Sequence, residues 1–150
     1  SFKNVKRRFN VFPQKGYTIV DDYAHHPMEI KKVLEAGRDI TKGQIIAVFQ
    51  PHLFSRTKQL YREFADALSA ADCVILDKIY PAREAPMPGV SSNLISDCMK
   101  ENGYSKVFCE SSWDGIIERL KKNLKKGGLI FLMGAGNITE IRKEIERWIK

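Results

Sequence analysis

Five runs of apolar, largely β-branched residues recur along the chain, and each is short enough to form one strand. They cover residues 17–22, 44–49, 73–77, 105–109 and 128–133. Polar residues hardly interrupt them, whereas a strand with one solvated face would alternate apolar and polar side chains. The runs therefore predict a parallel sheet that is covered by helices on both faces.

The segments between these runs have the period of amphipathic helices. One helix is predicted from Pro27, a residue suited to a first helical position. Ser111 and Asn137, each with an acidic residue three positions later, indicate further helix starts. The alternation predicts an α/β, doubly wound, Rossmann-like fold, with a mostly parallel sheet of about six strands flanked by helices. A hairpin that turns at Pro13 to Gly16 would add one antiparallel edge strand.

The length of 150 residues fits one domain with a single core. No apolar run is long enough to span a bilayer, and the basic start lacks the apolar stretch of a signal peptide. The chain does not begin with Met, and its first residues read as the middle of a segment. We therefore expect a fragment of a longer protein, with no membrane partner.

The net charge of +7, from 25 basic and 18 acidic residues, is concentrated in two places. Lys3, Lys6, Arg7 and Arg8 stand at the start, and the second cluster lies within 119–126. A nucleic-acid-binding face would spread its basic groups among aromatic ones, so we expect no nucleic-acid partner. We interpret 119–126 as a solvated helix face and residues 6–8 as a candidate anion site.

The three cysteines include no CxxC pair, which indicates free thiols in a reducing cytosol. Cys73 and Cys109 lie in apolar runs and are predicted to be buried. A catalytic thiol is the alternative.

Unusual polar residues follow the carboxyl ends of the predicted strands. They occupy residues 21–27, 50–57, 77–80 and 134–137. Open α/β sheets bind ligands outside the carboxyl ends of their strands. The clustering therefore predicts a functional site at this edge.

Each group at this edge also has a structural interpretation. Asp21, His25 and His26 offer metal-ligating atoms, but adjacent histidines diverge and no third nitrogen or sulfur ligand is near in sequence. His26 could instead cap the helix that follows. Arg56 is either a surface ion-pairing residue or a ligand for a carboxylate or phosphate. A cation at a helix start is unfavourable unless an anion is bound there, so its position favours the anion-binding interpretation.

The segment Gly134-Ala135-Gly136 resembles part of a dinucleotide-binding motif. Thr139 stands at the third glycine position, however, and the segment follows the last strand. A tight turn that allows close packing is the alternative. No GxxxxGK[ST] motif occurs in the chain, so an ATP-dependent activity would need phosphate-binding residues from another domain.

Four segments together resemble a known family. DDYAHHP at 21–27, VFQPHLFSRT at 48–57, YPAREAPMPGV at 80–90 and GAGNI at 134–138 are similar to the C-terminal domain of the Mur ligases, in particular to members that add L-alanine. The resemblance covers essentially the whole chain. It implies an interdomain connection over 1–8 and one C-terminal ligase domain over 9–150. Family members that recycle murein tripeptide typically carry a shorter E-P-R-S form of the second motif, so Pro51, His52, Arg56 and Thr57 favour the L-alanine-adding branch.

The resemblance implies a cytoplasmic, ATP-dependent step of peptidoglycan precursor synthesis. L-alanine would be joined to UDP-N-acetylmuramate through an acyl phosphate, with Mg²⁺ bridging the ATP phosphates. An N-terminal domain and a central P-loop domain would be the partners of this closing domain. The C-terminal domain alone would be inactive.

The resemblance also implies roles for individual side chains. Arg8 would reach the ATP phosphates, and Asp22 would bind the ATP ribose. Arg56 would hold the carboxylate of the incoming amino acid, and His25 and His52 would orient the substrate, all three as catalytic groups. The residues implied to surround L-alanine are Tyr23, His25, His52 and Arg56.

Two positions depart from the family pattern. Leu53 stands where many members have a second arginine, which would leave the amino-acid carboxylate one fewer charged donor. Ala24 replaces a common glycine. Two alternatives stay open: a ligase that recycles murein peptides, and a module that binds nucleotides or anions without catalysis.

Overall fold

The computed structural model describes residues 7–150, in which strands and helices alternate as predicted. The elements are β1 Asn10–Gln14, β2 Tyr17–Asp22, α1 Pro27–Ile40, β3 Ile45–Phe49, α2 Phe54–Leu68, β4 Cys73–Leu76, α3 Asn93–Glu101, β5 Val107–Cys109, α4 Trp113–Asn123, β6 Gly128–Met133, a 3₁₀ turn Ile138–Glu140 and α5 Ile141–Trp148. No helix among these residues is both long and apolar enough to cross a membrane. Lys3 and Lys6 of the basic start lie outside the described residues, as does most of the expected connection 1–8.

Within residues 7–150 the strands form one six-stranded sheet in the order β1-β2-β6-β3-β4-β5. β1 pairs with β2 in antiparallel fashion, and the other neighbours are parallel. The predicted fold class is therefore confirmed. The hairpin turn is shorter than predicted, because Pro13 and Gln14 belong to β1. An edge strand tolerates Pro13, since one side of the strand needs no ladder donor there.

Helices cover both faces of the sheet, as the apolar strands require. On one face Leu34 of α1, Phe64 of α2 and Ile95 of α3 are buried in one apolar cluster. On the other face Ile116 of α4 and Ile141 of α5 are buried in a second cluster. β6 leads to α5 on one face, whereas its neighbours β2 and β3 lead to α1 and α2 on the other face. The loops after these strands therefore leave the sheet in opposite directions, an arrangement that opens a crevice at the carboxyl ends of the strands.

Gly37 of α1 lies directly against the ring of Phe131 in β6. A Cβ atom added to Gly37 would lie 2.4 Å from Cζ of Phe131. A glycine in a helix interior lowers helix stability by about 1 kcal/mol relative to alanine. Here it lets the helix sit directly on the aromatic ring.

The helix starts follow the sequence signals with two corrections. Pro27 begins α1 as predicted. The cap of α4 is Ser112, one residue later than predicted, and its Oγ accepts a 3.1 Å hydrogen bond from the N–H of Gly115. Asn137 does not cap the last helix, because its side-chain oxygen accepts a 2.7 Å hydrogen bond from Gln50 and the chain forms a 3₁₀ turn first.

Burial bears out some of the remaining predictions and contradicts one. Cys73 is buried as predicted, whereas the prediction for Cys109 was wrong, because this residue ends the edge strand β5 and is exposed. Within 119–126 the lysines are exposed, as expected for a solvated face. Arg119 differs from them, since it pairs with Glu110 at 2.9 Å.

Candidate functional site

The polar segments singled out in the sequence do meet at the carboxyl edge of the sheet. The loop after β6 lies beside the loop after β3, where Gln50 donates to Asn137 and accepts from the N–H of Ile138 at 3.3 Å. The loop after β4 joins them, because His52 and Tyr80 form an isolated parallel bridge. The edge is therefore one continuous surface built from several loops.

Arg7 fastens the start of the described chain to this edge. Its guanidinium donates to both carboxylate oxygens of Asp21 at 3.1 and 2.9 Å and to the carbonyl of Gly134 at 2.8 Å. The Asp21 carboxylate also accepts a 2.7 Å hydrogen bond from the hydroxyl of Thr139. The Asp21 carboxylate is therefore engaged by Arg7 and Thr139. It does not support the metal site considered at Asp21, His25 and His26.

Asp22 holds two backbone segments and borders an open cavity. Its carboxylate accepts from the N–H of Phe9 and from the N–H of Ala24, each at 2.8 Å. Burial raises the pKa of Asp22, against the effect of these two hydrogen bonds. Arg8 is exposed and lines the same cavity of about 320 Å³, together with Asp22 and Lys32. The two residues expected to contact ATP are thus neighbours in space.

A row of aromatic rings crosses the edge. The ring of Tyr23 meets His25 edge-on at 5.2 Å between centroids, and His25 lies 6.2 Å from His52. His52 stacks on Tyr80 at 5.7 Å with 13° between the ring planes. His26 adjoins the row, 4.9 Å from His25. The expected residues Tyr23, His25 and His52 are therefore brought together.

The hydrogen bonds of the two expected histidines assign complementary roles to their rings. Nδ1 of His25 lies 3.0 Å from the carbonyl of Tyr23, and because a carbonyl only accepts, Nδ1 donates, which leaves Nε2 as the acceptor of the neutral ring. Nδ1 of His52 lies 3.4 Å from Nη1 of Arg56, and because arginine only donates, Nδ1 accepts and Nε2 carries the proton. Burial, followed by the Arg56 cation, lowers the pKa of His52, which favours this neutral ring.

Glu29 fixes the loop that presents these histidines. Its Oε1 accepts from the N–H of His25 at 3.1 Å and from the N–H of His26 at 3.0 Å. These two hydrogen bonds lower the pKa of Glu29 although burial opposes them. His26 is the N-cap of α1, which is the alternative to a metal-binding role that the sequence offered for this residue. The spacing of three residues from His26 to Glu29 is a capping signal that could have identified Glu29 in advance.

The Gly134-Ala135-Gly136 segment serves close packing. A Cβ atom on Gly136 would lie 2.5 Å from Oε1 of Gln50 and 2.6 Å from Cγ of Tyr80. A Cβ atom on Gly134 would lie 2.9 Å from the carbonyl of Gln50. These distances support the tight-turn interpretation of the motif.

A second cleft of about 450 Å³ lies on the same edge, lined by Tyr80, Trp113 and Asn137 among others. At its base Asp77 accepts from Gln50 at 3.0 Å and from the N–H of Lys78 at 2.8 Å. Burial raises the pKa of Asp77. The sequence indicated Asp77 by its position after a strand, but nothing in it indicated Trp113.

Across residues 7–150 no three or more His, Cys, Asp or Glu side chains are grouped so that they could hold a metal ion.

Comparison with known proteins shows the family of this chain. Residues 7–136 match the family described as Mur ligase, glutamate ligase domain. The UDP-N-acetylmuramate–L-alanine ligase of Carboxydothermus hydrogenoformans is 43% identical over 141 residues, which cover 93% of this chain and 30% of that relative.

Solved structures share the fold. The UDP-N-acetylmuramate–alanine ligase of Thermotoga maritima gives a TM-score of 0.73 at 24% identity, covering 95% of this chain and 30% of that one. A murein peptide ligase of Psychrobacter arcticus gives a TM-score of 0.76 at 20% identity, covering 93% of this chain and 29% of that one. This chain thus spans 30% of the length of the Carboxydothermus relative. Because the family match extends over most of the chain, the chain belongs to the Mur ligase, glutamate ligase domain family.

Proposed function

We propose that this chain is the C-terminal lid domain of an ATP-dependent ligase that joins L-alanine to UDP-N-acetylmuramate in cytoplasmic peptidoglycan precursor synthesis. Family membership and the name of the 43% identical relative support the reaction class. The observation that carries the proposal is the arrangement of His25, His52 and Arg56, which offers two donors and one acceptor at one edge of the sheet.

This arrangement matches the two ends of an amino acid. The Arg56 guanidinium and the Nε2–H of His52 would donate to the carboxylate of L-alanine. The guanidinium is charged and planar, which suits it to binding a carboxylate. The acceptor Nε2 of His25 would orient the amino group, and the Tyr23 ring beside His25 would wall the pocket. Such groups align the nucleophile, which is the amine of the substrate itself.

The neutral state of His52 matters for this role. With Nδ1 accepting from Arg56, the ring keeps the guanidinium beside it and has its Nε2–H as the remaining donor. A protonated ring would repel Arg56 and break this contact. We therefore assign His52 and Arg56 to one carboxylate-binding pair.

The nucleotide would bind at the cavity lined by Arg8 and Asp22, which shares Tyr23 and His25 with the proposed L-alanine pocket. ATP, when bound, would transfer its γ-phosphoryl group to the muramate carboxylate with release of ADP. The L-alanine amine would then displace inorganic phosphate and lose a proton as the amide bond forms. Arg8 lines the cavity with Asp22, and each Asp22 oxygen that accepts one backbone hydrogen bond retains a lone pair for a ribose hydroxyl. The residues present thus fit one side of a nucleotide. In this proposal Mg²⁺ and the remaining phosphate contacts belong to other domains, residues 1–8 are the connection to them and 9–150 are the lid.

The test uses a longer protein that contains this chain. Phosphate release should require ATP, UDP-N-acetylmuramate and L-alanine together, and the 150-residue chain alone should release none. Arg56→Ala should raise the KM for L-alanine about 10- to 100-fold, the effect of losing a hydrogen bond to a charged group, and should leave the KM for ATP unchanged. Lys58→Ala, an exposed cation on the same helix, is the matched control.

The alternatives give different results in the same assay. Turnover with a murein tripeptide in place of L-alanine would replace the proposed reaction by peptide recycling. Tight binding of ATP by the 150-residue chain alone, measured by calorimetric titration, would favour a nucleotide-binding module. An unchanged KM for L-alanine in Arg56→Ala would remove the role assigned to Arg56.

A further inference from the structure

The long loop between β4 and α3 is attached to the loop that carries His52. The N–H of Leu53 donates to the carbonyl of Tyr80 at 2.9 Å, and the N–H of Tyr80 donates to the carbonyl of Pro51 at 2.8 Å. The stacked rings of His52 and Tyr80 lie across the same junction. The β4–α3 loop therefore forms a second layer behind the proposed L-alanine pocket.

The helix that carries Arg56 begins without the groups that usually stabilise a helix start. Its N-cap residue is Leu53, which has no hydrogen-bonding side chain and has a positive φ of 75°. The first turn of α2 contains no acidic residue. It does contain Arg56, a cation close to the positive end of the helix dipole, which is an unfavourable position.

Glu84 supplies the missing group from the β4–α3 loop. One of its carboxylate oxygens accepts a 3.1 Å hydrogen bond from the N–H of Ser55, and the other accepts a hydrogen bond from the Ser55 hydroxyl. A carboxylate at this point satisfies an N–H that has no partner within the helix and opposes the positive end of the dipole. Ser55 is the residue directly before Arg56, so Glu84 constrains the backbone from which Arg56 projects.

We propose that Glu84 is a positioning residue for L-alanine binding: its carboxylate, bound to Ser55, fixes the start of α2 so that Arg56 and His52 face the amino-acid carboxylate together. This inference rests on the proposed function and extends it to a residue that does not contact the substrate. It also gives the β4–α3 loop a role in specificity, since the loop sets the geometry of the pair from outside the pocket.

The charge of Glu84 is the part that the proposal requires. Glu84→Gln keeps the shape of the side chain and removes the charge. A thermal melt checks that the variant is folded. Ser55→Ala removes the hydroxyl that Glu84 binds. Glu35→Gln, an exposed acid on α1, is the control for a change of net charge.

In the longer protein, Glu84→Gln should raise the KM for L-alanine about 3- to 10-fold, less than Arg56→Ala because the contact is indirect. The kcat at saturating L-alanine and the KM for ATP should stay within about twofold. Combining Glu84→Gln with Ser55→Ala should give less than the product of the single effects, because the two side chains form one contact.

The outcomes separate this inference from the proposed function. If Arg56→Ala raises the KM for L-alanine and Glu84→Gln does not, Glu84 is no positioning residue, while the proposed function stands. Equal changes in the KM for L-alanine and for ATP would also overturn the inference, because they would indicate a general loss of structure. If neither variant changes the KM for L-alanine, both the site assignment and the inference fail.

Discussion

Arg7 and Asp21 form a two-pronged ion pair, with Nε and Nη2 of the arginine donating to the two carboxylate oxygens at 3.1 and 2.9 Å. The side chains are 15% and 5% exposed, so solvent does little to weaken the pair. Arg8, the next residue, is exposed. Two adjacent arginines that look equivalent in the sequence therefore have different roles.

Arg7→Gln should lower the free energy of unfolding by about 3 kcal/mol, because it leaves the buried Asp21 carboxylate without its cation. Arg8→Gln should change it by less than about 0.5 kcal/mol, as expected for an exposed side chain. Urea denaturation of the two variants measures the difference. Equal losses would show that the Arg7 pair is not the main attachment of this segment.

Gly37→Ala should destabilise the chain, although alanine is the better helix former. The added methyl group would lie 2.4 Å from Phe131, and overpacking of this kind costs about 1–3 kcal/mol. In a Phe131→Leu background the same substitution should cost less or become stabilising. A stabilising Gly37→Ala in the unmodified chain would contradict the close contact.

Leu53→Gly should be more stable than Leu53→Ala by about 1 kcal/mol, because glycine adopts a positive φ without the strain that a Cβ atom creates. Both variants lose the same side-chain packing, so their difference isolates the backbone at φ 75°. At an ordinary position glycine would be the less stable of the two. Chemical denaturation of both variants gives the sign of the difference between their free energies of unfolding.

His52 should make the stability depend on pH on the acid side of neutrality. Burial, then the Arg56 cation, lowers the pKa of His52 in the folded chain, so the unfolded chain takes up the proton first as the pH falls below about 6.5. Its stabilising contribution is complete above that pH and is lost as the pH falls through the lower, folded pKa.

Between pH 7.5 and 5.5, His52→Gln should therefore lose less unfolding free energy than the unmodified chain. The difference is limited to about 1.4 kcal/mol per pH unit, the value for one proton. The pKa of His26 is lowered as well, so His26 also contributes to the pH dependence of stability, and His26→Gln measures that share for comparison. Parallel curves for the unmodified chain and His52→Gln would contradict the lowered pKa.

The strands could be predicted because burial on both faces leaves a direct mark on the sequence. The runs at 17–22 and 128–133 coincide with β2 and β6, whereas β5 is shorter than its run. As an edge strand, β5 pairs on one side only, and Ser105 and Lys106 stay outside it. The prediction therefore loses accuracy where the two-sided burial ends.

The members of the candidate site could be predicted, but their chemistry could not. Strand ends and the family resemblance identified His25, His52 and Arg56. Which ring nitrogen carries the proton depends on a carbonyl of Tyr23 and on the guanidinium of Arg56, and these are contacts in space. Glu84 was out of reach for the same reason, because it lies in a loop without any periodic pattern, 29 residues along the chain from its partner Ser55.

The chain carries its own optical reporter of the carboxyl edge. Of its two tryptophans, Trp113 lines the cleft there beside Asp77, whereas Trp148 is 56% exposed next to Gly16 and Tyr17, where β2 begins. Replacing Trp148 by phenylalanine would leave a chain whose indole fluorescence arises from the cleft alone. Binding of small molecules at that edge could then be followed by emission intensity, without attaching a dye to the protein.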